Sequence, residues 1–195
     1  MNLPNKLTIS RIILPPIFMA TMLIDFEYHY IVALLVFVVA SVTDWLDGKI
    51  ARANNIVTNF GKFLDPLADK MLTTSAFIAF VALHFGYGIN WVLFIVLFRE
   101  YMIASLRLVA VSSEKKKVIP ANIWGKLKTV SQMICIILGI AILAFIDLGI
   151  SKVTIEIYDV LRIVFDITLW ISTAFTIISG AIYVKDSFEF IDPSK

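Results

Sequence analysis

The chain has 195 residues, of which 59% are hydrophobic and 16% charged, and its mean hydropathy is +0.89. A soluble domain carries about 45–50% apolar and about 25% charged residues, so the composition excludes an ordinary water-soluble globule and makes the bilayer the solvent. The net charge of +2 is uninformative as a total and becomes informative through its placement, and no nucleic-acid partner is expected.

The expectation is a single all-α integral membrane domain over 1–195. In chain order, Lys6 and Arg11 precede an apolar stretch that Pro15 and Pro16 interrupt, with no small-residue cleavage site after it. That pattern predicts a retained first helix rather than a cleaved signal peptide. Six apolar segments follow one another: 7–24, 28–51, 64–85, 89–111, 122–146 and 158–184. Each is near the ~20 residues a helix needs to cross the hydrocarbon core. Asp25-Phe26-Glu27, Gly86-Tyr87-Gly88 and the stretch 149–156 supply the turns. With the N-terminus inside, all of the 17 basic residues except Lys152 and Arg162 fall on the cytoplasmic side. The positive-inside rule then predicts six transmembrane helices with both termini cytoplasmic. The lone cysteine, Cys135, lies in an apolar run and gives no sign of an oxidised compartment.

Charges gather at the cytoplasmic ends of the second, third and fourth segments, where they are costly unless they face a shared polar cavity. The densest stretch is Asp44-Trp45-Leu46-Asp47-Gly48-Lys49-Ile50-Ala51-Arg52, then eight residues, then Gly61-Lys62-Phe63-Leu64-Asp65-Pro66-Leu67-Ala68-Asp69. On a helix, Asp44 and Asp47 share a face, and so do Gly61, Asp65 and Asp69. A hairpin of the second and third helices brings the four carboxylates to one membrane face. Pro66 suits a first turn, so the third helix is expected to begin near Leu64. Four carboxylates so close need cations or protons to coexist. Hard oxygen donors suit Mg²⁺, Mn²⁺ or Ca²⁺, and with no histidine or cysteine nearby they argue against zinc. Gly48 and Gly61 are places for close backbone approach.

Asp-x-x-Asp-Gly-x-x-Ala-Arg, eight residues, Gly-x-x-x-Asp-x-x-x-Asp resembles the signature of the CDP-alcohol phosphatidyltransferases. Asp44, Asp47, Gly48, Ala51, Arg52, Gly61, Asp65 and Asp69 fill every position. The resemblance extends to the six-helix layout and implies a homodimer with a polar cavity open to the cytoplasm. It implies CDP-diacylglycerol as donor and two divalent ions, Mg²⁺ or Mn²⁺, held by Asp44, Asp47, Asp65 and Asp69. Asp69 is also the implied general base, while Gly48, Arg52 and Gly61 contact the CDP moiety.

The second half of the chain bears on the acceptor. Phe98-Arg99-Glu100-Tyr101, Ser105-Leu106-Arg107 and the stretch 120–129, with Trp124-Gly125-Lys126-Leu127-Lys128 at its centre, resemble the members of that family that use glycerol 3-phosphate. An anionic acceptor calls for fixed cations, and Arg99, Arg107, Lys126 and Lys128 are the candidates. Glu100 is expected to orient one of them. Lys115-Lys116-Lys117 reads as a solvated basic loop that favours anionic membrane lipids. His29 and His84 are expected to be structural, and Tyr28, Tyr87 and Trp91 to form an outer aromatic belt. The competing readings are the same chemistry on serine, an inositol phosphate or phosphatidylglycerol, a cation-coupled transporter, and a membrane scaffold.

Overall fold

A computed structural model describes the backbone of residues 3–54, 59–112, 123–148 and 155–187, and the side chains of 12–43, 70–109, 123–148 and 157–187. Six helices run in order: α1 Leu3–Leu23, α2 His29–Asn54, α3 Asn59–Ala82, α4 Ile89–Ser112, α5 Ile123–Asp147 and α6 Ile155–Ser187. No strand occurs among the described residues. The chain divides into two compact units, Met1–Phe85 with Ile136–Arg162, and Gly86–Cys135 with Ile163–Lys195.

In the first unit, among the described residues, α1 packs along both α2 and α3, which touch each other less. α2 and α3 thus share α1 as a common neighbour. The packed faces combine rings with small residues: Phe18 and Phe37 are fully buried with ring centroids 5.4 Å apart. Ala33, Phe37 and Ala40 form one buried face of α2, and Ala76, Ala79 and Phe80 one of α3. Small residues let helix backbones approach closely, which is how helices associate where lipid removes the hydrophobic drive.

α3 starts at Asn59, five residues before the expected Leu64. Pro66 thus sits inside the helix instead of in its first turn, where the lost amide and ring clash cost about 3 kcal/mol in water. In membrane bundles neighbouring helices and side chains re-satisfy such backbone groups. α3 ends in a Schellman cap: Phe85 N donates to Phe80 O at 2.9 Å and His84 N to Val81 O at 3.1 Å, with His84 in the left-handed region at φ 53°. That gives His84 its structural role. His29 is buried, its Nδ1 3.2 Å from Thr21 O and its Nε2 3.8 Å from Asp25 Oδ1.

In the second unit, contacts fix the directions of three helices. Arg99 meets Ser179 and Arg107 meets Tyr183, so α4 and α6 run parallel. Lys128 meets Glu100 and Gln132 meets Thr176, so the first half of α5 runs against both. At the start of α4 the Gly86-Tyr87-Gly88 turn is fastened to α6. Tyr87 N donates to Asp166 Oδ1 at 2.7 Å and Trp170 Nε1 to Tyr87 O at 3.1 Å. Tyr87 and Trp91 are among the most exposed aromatic residues there.

Leu35, Val39, Phe94, Ile134, Ile163 and Ile167 are each more than half exposed. Helices buried on one side and apolar on the other need a non-aqueous solvent. Among the described residues, Ile123–Asp147 and Ile157–Ser187 are long and apolar enough to cross a membrane. The protein is a membrane protein.

Candidate functional site

α2 carries Asp44, Asp47, Gly48 and Arg52 on one uninterrupted helix, and α3 carries Gly61, Asp65 and Asp69 on another. Because α3 begins before Gly61, its three positions recur every four residues and occupy one stripe. The early helix start thus brings Gly61 into the register that its spacing calls for. The side chains of these residues lie outside the described ones, as do Lys115, Lys116 and Lys117. No group of three His, Cys, Asp or Glu fit for a metal occurs among the described residues. The donor set itself, four carboxylates in two helical pairs, is of the hard-oxygen kind that fits Mg²⁺ or Mn²⁺.

The cation candidates are better defined. Arg99 and Lys128 converge on one carboxylate. Arg99 Nη1 donates to Glu100 Oε1 at 3.0 Å, and Lys128 Nζ donates to the same oxygen. The three side chains are 13%, 12% and 10% exposed for Arg99, Glu100 and Lys128 in turn. Two cations thus share one carboxylate in a half-apolar setting, where charges are tolerated only when paired. Arg99 Nη2 also donates to Ser179 Oγ at 2.7 Å, while its buried Nε has no partner. The aliphatic stem of Arg99 lines an apolar cleft of about 650 Å³ between α4 and α6, so the stem sits in grease and the head in the polar cluster.

Arg107 is held differently. Its Nε donates to Tyr183 Oη at 3.3 Å and its guanidinium lies 5.7 Å from the centre of that ring. Lys126 is exposed in the opening turns of α5, where amides without helical acceptors favour anions. Arg99, Glu100 and Lys128 are therefore brought together, Arg107 is two turns further along α4, and Lys126 faces solvent.

Sequence reasoning missed the α6 partners of the two arginines, Ser179 and Tyr183, which continue a polar stripe that begins outside the cluster at Ser172. Ser172, Thr176, Ser179 and Tyr183 are all buried and recur at three- and four-residue steps. Ser172 Oγ donates to Leu169 O, Thr176 Oγ1 to Ser172 O, and Gln132 Nε2 to Thr176 Oγ1 at 3.2 Å. A polar stripe at helical spacing within an apolar segment was the available signal. Gly125 of α5 adjoins the same place: a Cβ there would stand 3.8 Å from Ser179 Oγ and 4.0 Å from Arg99 Nη2.

A model of the CDP-alcohol phosphatidyltransferase family matches residues 1–178. Curated relatives are similar over nearly the whole chain. A protein of Bacillus subtilis (strain 168) is 37% identical over 99% of this chain and 98% of its own length. One of Rickettsia bellii (strain RML369-C) is 39% identical over 94% of each. One of Mycoplasma pneumoniae is 33% identical over 97% of this chain and 89% of its own. Each of these relatives is named CDP-diacylglycerol–glycerol-3-phosphate 3-phosphatidyltransferase.

Proposed function

The chain belongs to the CDP-alcohol phosphatidyltransferase family, and from that premise we propose that it transfers the phosphatidyl group of CDP-diacylglycerol to glycerol 3-phosphate, giving phosphatidylglycerophosphate and CMP. The observation that carries this is the aspartate set, two on α2 and two on α3, in the family's spacing. The relatives' names support glycerol 3-phosphate as the acceptor. So does the convergence of two cations, Arg99 and Lys128, at Glu100.

In this mechanism Asp44, Asp47 and Asp65, with Asp69 beside them, hold divalent cations. When bound, two such ions would neutralise charge on the diphosphate and on the departing CMP. Gly48 and Gly61 leave room for the nucleotide's phosphates to approach backbone, and Arg52 binds the CDP moiety. Asp69 accepts the proton of the acceptor hydroxyl. The freed oxygen attacks the phosphorus that bears diacylglycerol, and the bond from that phosphorus to the CMP oxygen breaks. Arg99, Lys128, Arg107 and Lys126 receive the phosphate of the acceptor, so charge pairing sets its identity and the aspartates set its reactivity. Phosphoryl transfer depends mainly on such positioning and neutralisation.

The same reading includes six spans, both termini in the cytoplasm and a polar cavity open to that side of the cell membrane. The basic-residue asymmetry and the alternating directions of α4, α5 and α6 support it. A homodimer is part of it through the family resemblance.

The test is CMP release by purified protein in detergent, with CDP-diacylglycerol, Mg²⁺ or Mn²⁺, and one acceptor at a time. Release with glycerol 3-phosphate, abolished by EDTA, is the expected result. Release only with serine, an inositol phosphate or phosphatidylglycerol overturns the acceptor. No release with any acceptor overturns the enzyme in favour of a transporter or scaffold.

A further inference from the structure

Arg99 lies where α6 lacks a side chain. A Cβ on Gly180 would stand 3.2 Å from Arg99 Cγ and 3.5 Å from Met102 Cε. The residue just before it, Ser179, is 3% exposed and accepts Arg99 Nη2 at 2.7 Å. On the other flank Nη1 is bound by Glu100 at 3.0 Å. One guanidinium is thus held by α6 through a hydroxyl, seated against α6 by a missing side chain, and tied on α4 by a carboxylate. Its Nε, buried and without a partner, is left as a donor. Neither Ser179 nor Gly180 belongs to the aspartate signature.

We propose that Ser179 and Gly180 are positioning residues for the acceptor: they preset the Arg99 guanidinium, beside Lys128, to receive the phosphate of glycerol 3-phosphate, a role that rests on Arg99 and Lys128 binding that phosphate. A free arginine samples many rotamers, and only a fraction point at a given anion. The apparent dissociation constant is the intrinsic one divided by that fraction. Ser179 and Gly180 raise the fraction before the acceptor arrives. Their effect therefore falls on acceptor affinity and spares both the donor lipid and the chemical step.

The experiment is steady-state CMP release by the full chain in detergent, varying glycerol 3-phosphate and CDP-diacylglycerol separately. The variants are Ser179→Ala, Ser179→Thr, Gly180→Ala and Arg99→Lys, with Ser172→Ala as the control. Ser172 is an equally buried α6 hydroxyl, but its bond goes to Leu169 O. Loss of a hydrogen bond to a charged group predicts about a tenfold rise in KM for glycerol 3-phosphate in Ser179→Ala, with kcat and KM for CDP-diacylglycerol within about twofold. Ser179→Thr, which keeps the hydroxyl, restores most of the affinity. Gly180→Ala moves the same parameter in the same direction by pressing on Arg99, and Ser172→Ala moves none.

If Arg99→Lys raises the acceptor KM while Ser179→Ala and Gly180→Ala leave it unchanged, the positioning role is overturned and Arg99 keeps its function. If Arg99→Lys itself leaves the acceptor KM unchanged, the acceptor assignment fails and the positioning role falls with it. Equal rises in both substrates' KM, or the same losses in Ser172→Ala, also overturn it by marking a general packing defect. Should Ser179→Ala not accumulate as folded protein, Gly180→Ala decides alone. A selective rise in acceptor KM supports the proposal and no rise overturns it.

Discussion

The two places where α4 meets α6 are fastened by opposite means. At the start of α4 the fastening is backbone: the Gly86-Tyr87-Gly88 turn takes φ of +115° at Gly86 and +70° at Gly88, and its amide and carbonyl reach Asp166 and Trp170. Further along, it is side chain on side chain, with Arg99 on Ser179, Arg107 on Tyr183, and Lys128 of α5 drawn in through Glu100. The first junction satisfies its polar groups within the turn and α6. The second leaves the buried Nε–H of Arg99 without a hydrogen-bond partner. An orphaned buried donor costs the fold and is useful to an anion. Under the proposed function, one end of the unit serves stability and the other acceptor binding.

The largest effect belongs to neither junction and sets the scale for both. Asp69→Asn is expected to lower kcat by about 10²–10⁴-fold, the range for loss of a general base. Thermal stability and acceptor KM should stay near wild type, as CMP release and a melting curve in detergent would check. Next comes Glu100→Gln, which leaves Arg99 and Lys128 as neighbouring cations without their shared carboxylate. Breaking a buried pair in this way costs about 3–5 kcal/mol, so the melting temperature falls. Acceptor binding then tests whether the anion can take the place of Glu100: added glycerol 3-phosphate should recover part of the lost stability in this variant.

The turn should behave in the reverse manner. Gly86→Ala places a Cβ 2.9 Å from Phe165 Cε1 in a left-handed conformation, and Gly88→Ala places one 3.0 Å from Trp170 Cζ2. Each should cost about 1–3 kcal/mol of stability with both KM values unchanged. A selective change in acceptor KM from either would erase the contrast between the junctions. The smallest effect is Gly125→Ala. Its Cβ would meet Ser179 Oγ and Arg99 Nη2 only at ordinary contact distance, 3.8 and 4.0 Å. Alanine in place of a helical glycine gains about 0.5–1 kcal/mol, so a slightly higher melting temperature is expected. A large rise in acceptor KM there would locate the phosphate above Gly125.

The sequence made these regions legible to different degrees, for physical reasons. The aspartates repeat at helical spacing within a few turns, so their grouping on α2 and α3 followed from local periodicity alone. The start of α3 did not, because Pro66 mimics a first-turn proline and the membrane tolerates it inside a helix. Glu100 as the partner of Arg99 was readable because the two are adjacent. Ser179 was not, since its bond to Arg99 spans 80 residues and depends on the register between α4 and α6. A lone serine and glycine in an apolar helix carry no mark of their partner. The glycines of the turn announced a reversal, though not its fastening to Asp166 and Trp170.

The most direct test of phosphatidyl transfer uses glycerol 3-phosphate labelled in its phosphorus. Purified protein in detergent, supplied with CDP-diacylglycerol and Mg²⁺, is followed for label entering the lipid phase and for CMP released. Transfer predicts the two in equal amounts, both lost with EDTA and both lost in Asp69→Asn. CMP released without label in lipid would mean that water, not the acceptor, attacks the diphosphate, and would contradict the assignment of Arg99 and Lys128 along with it.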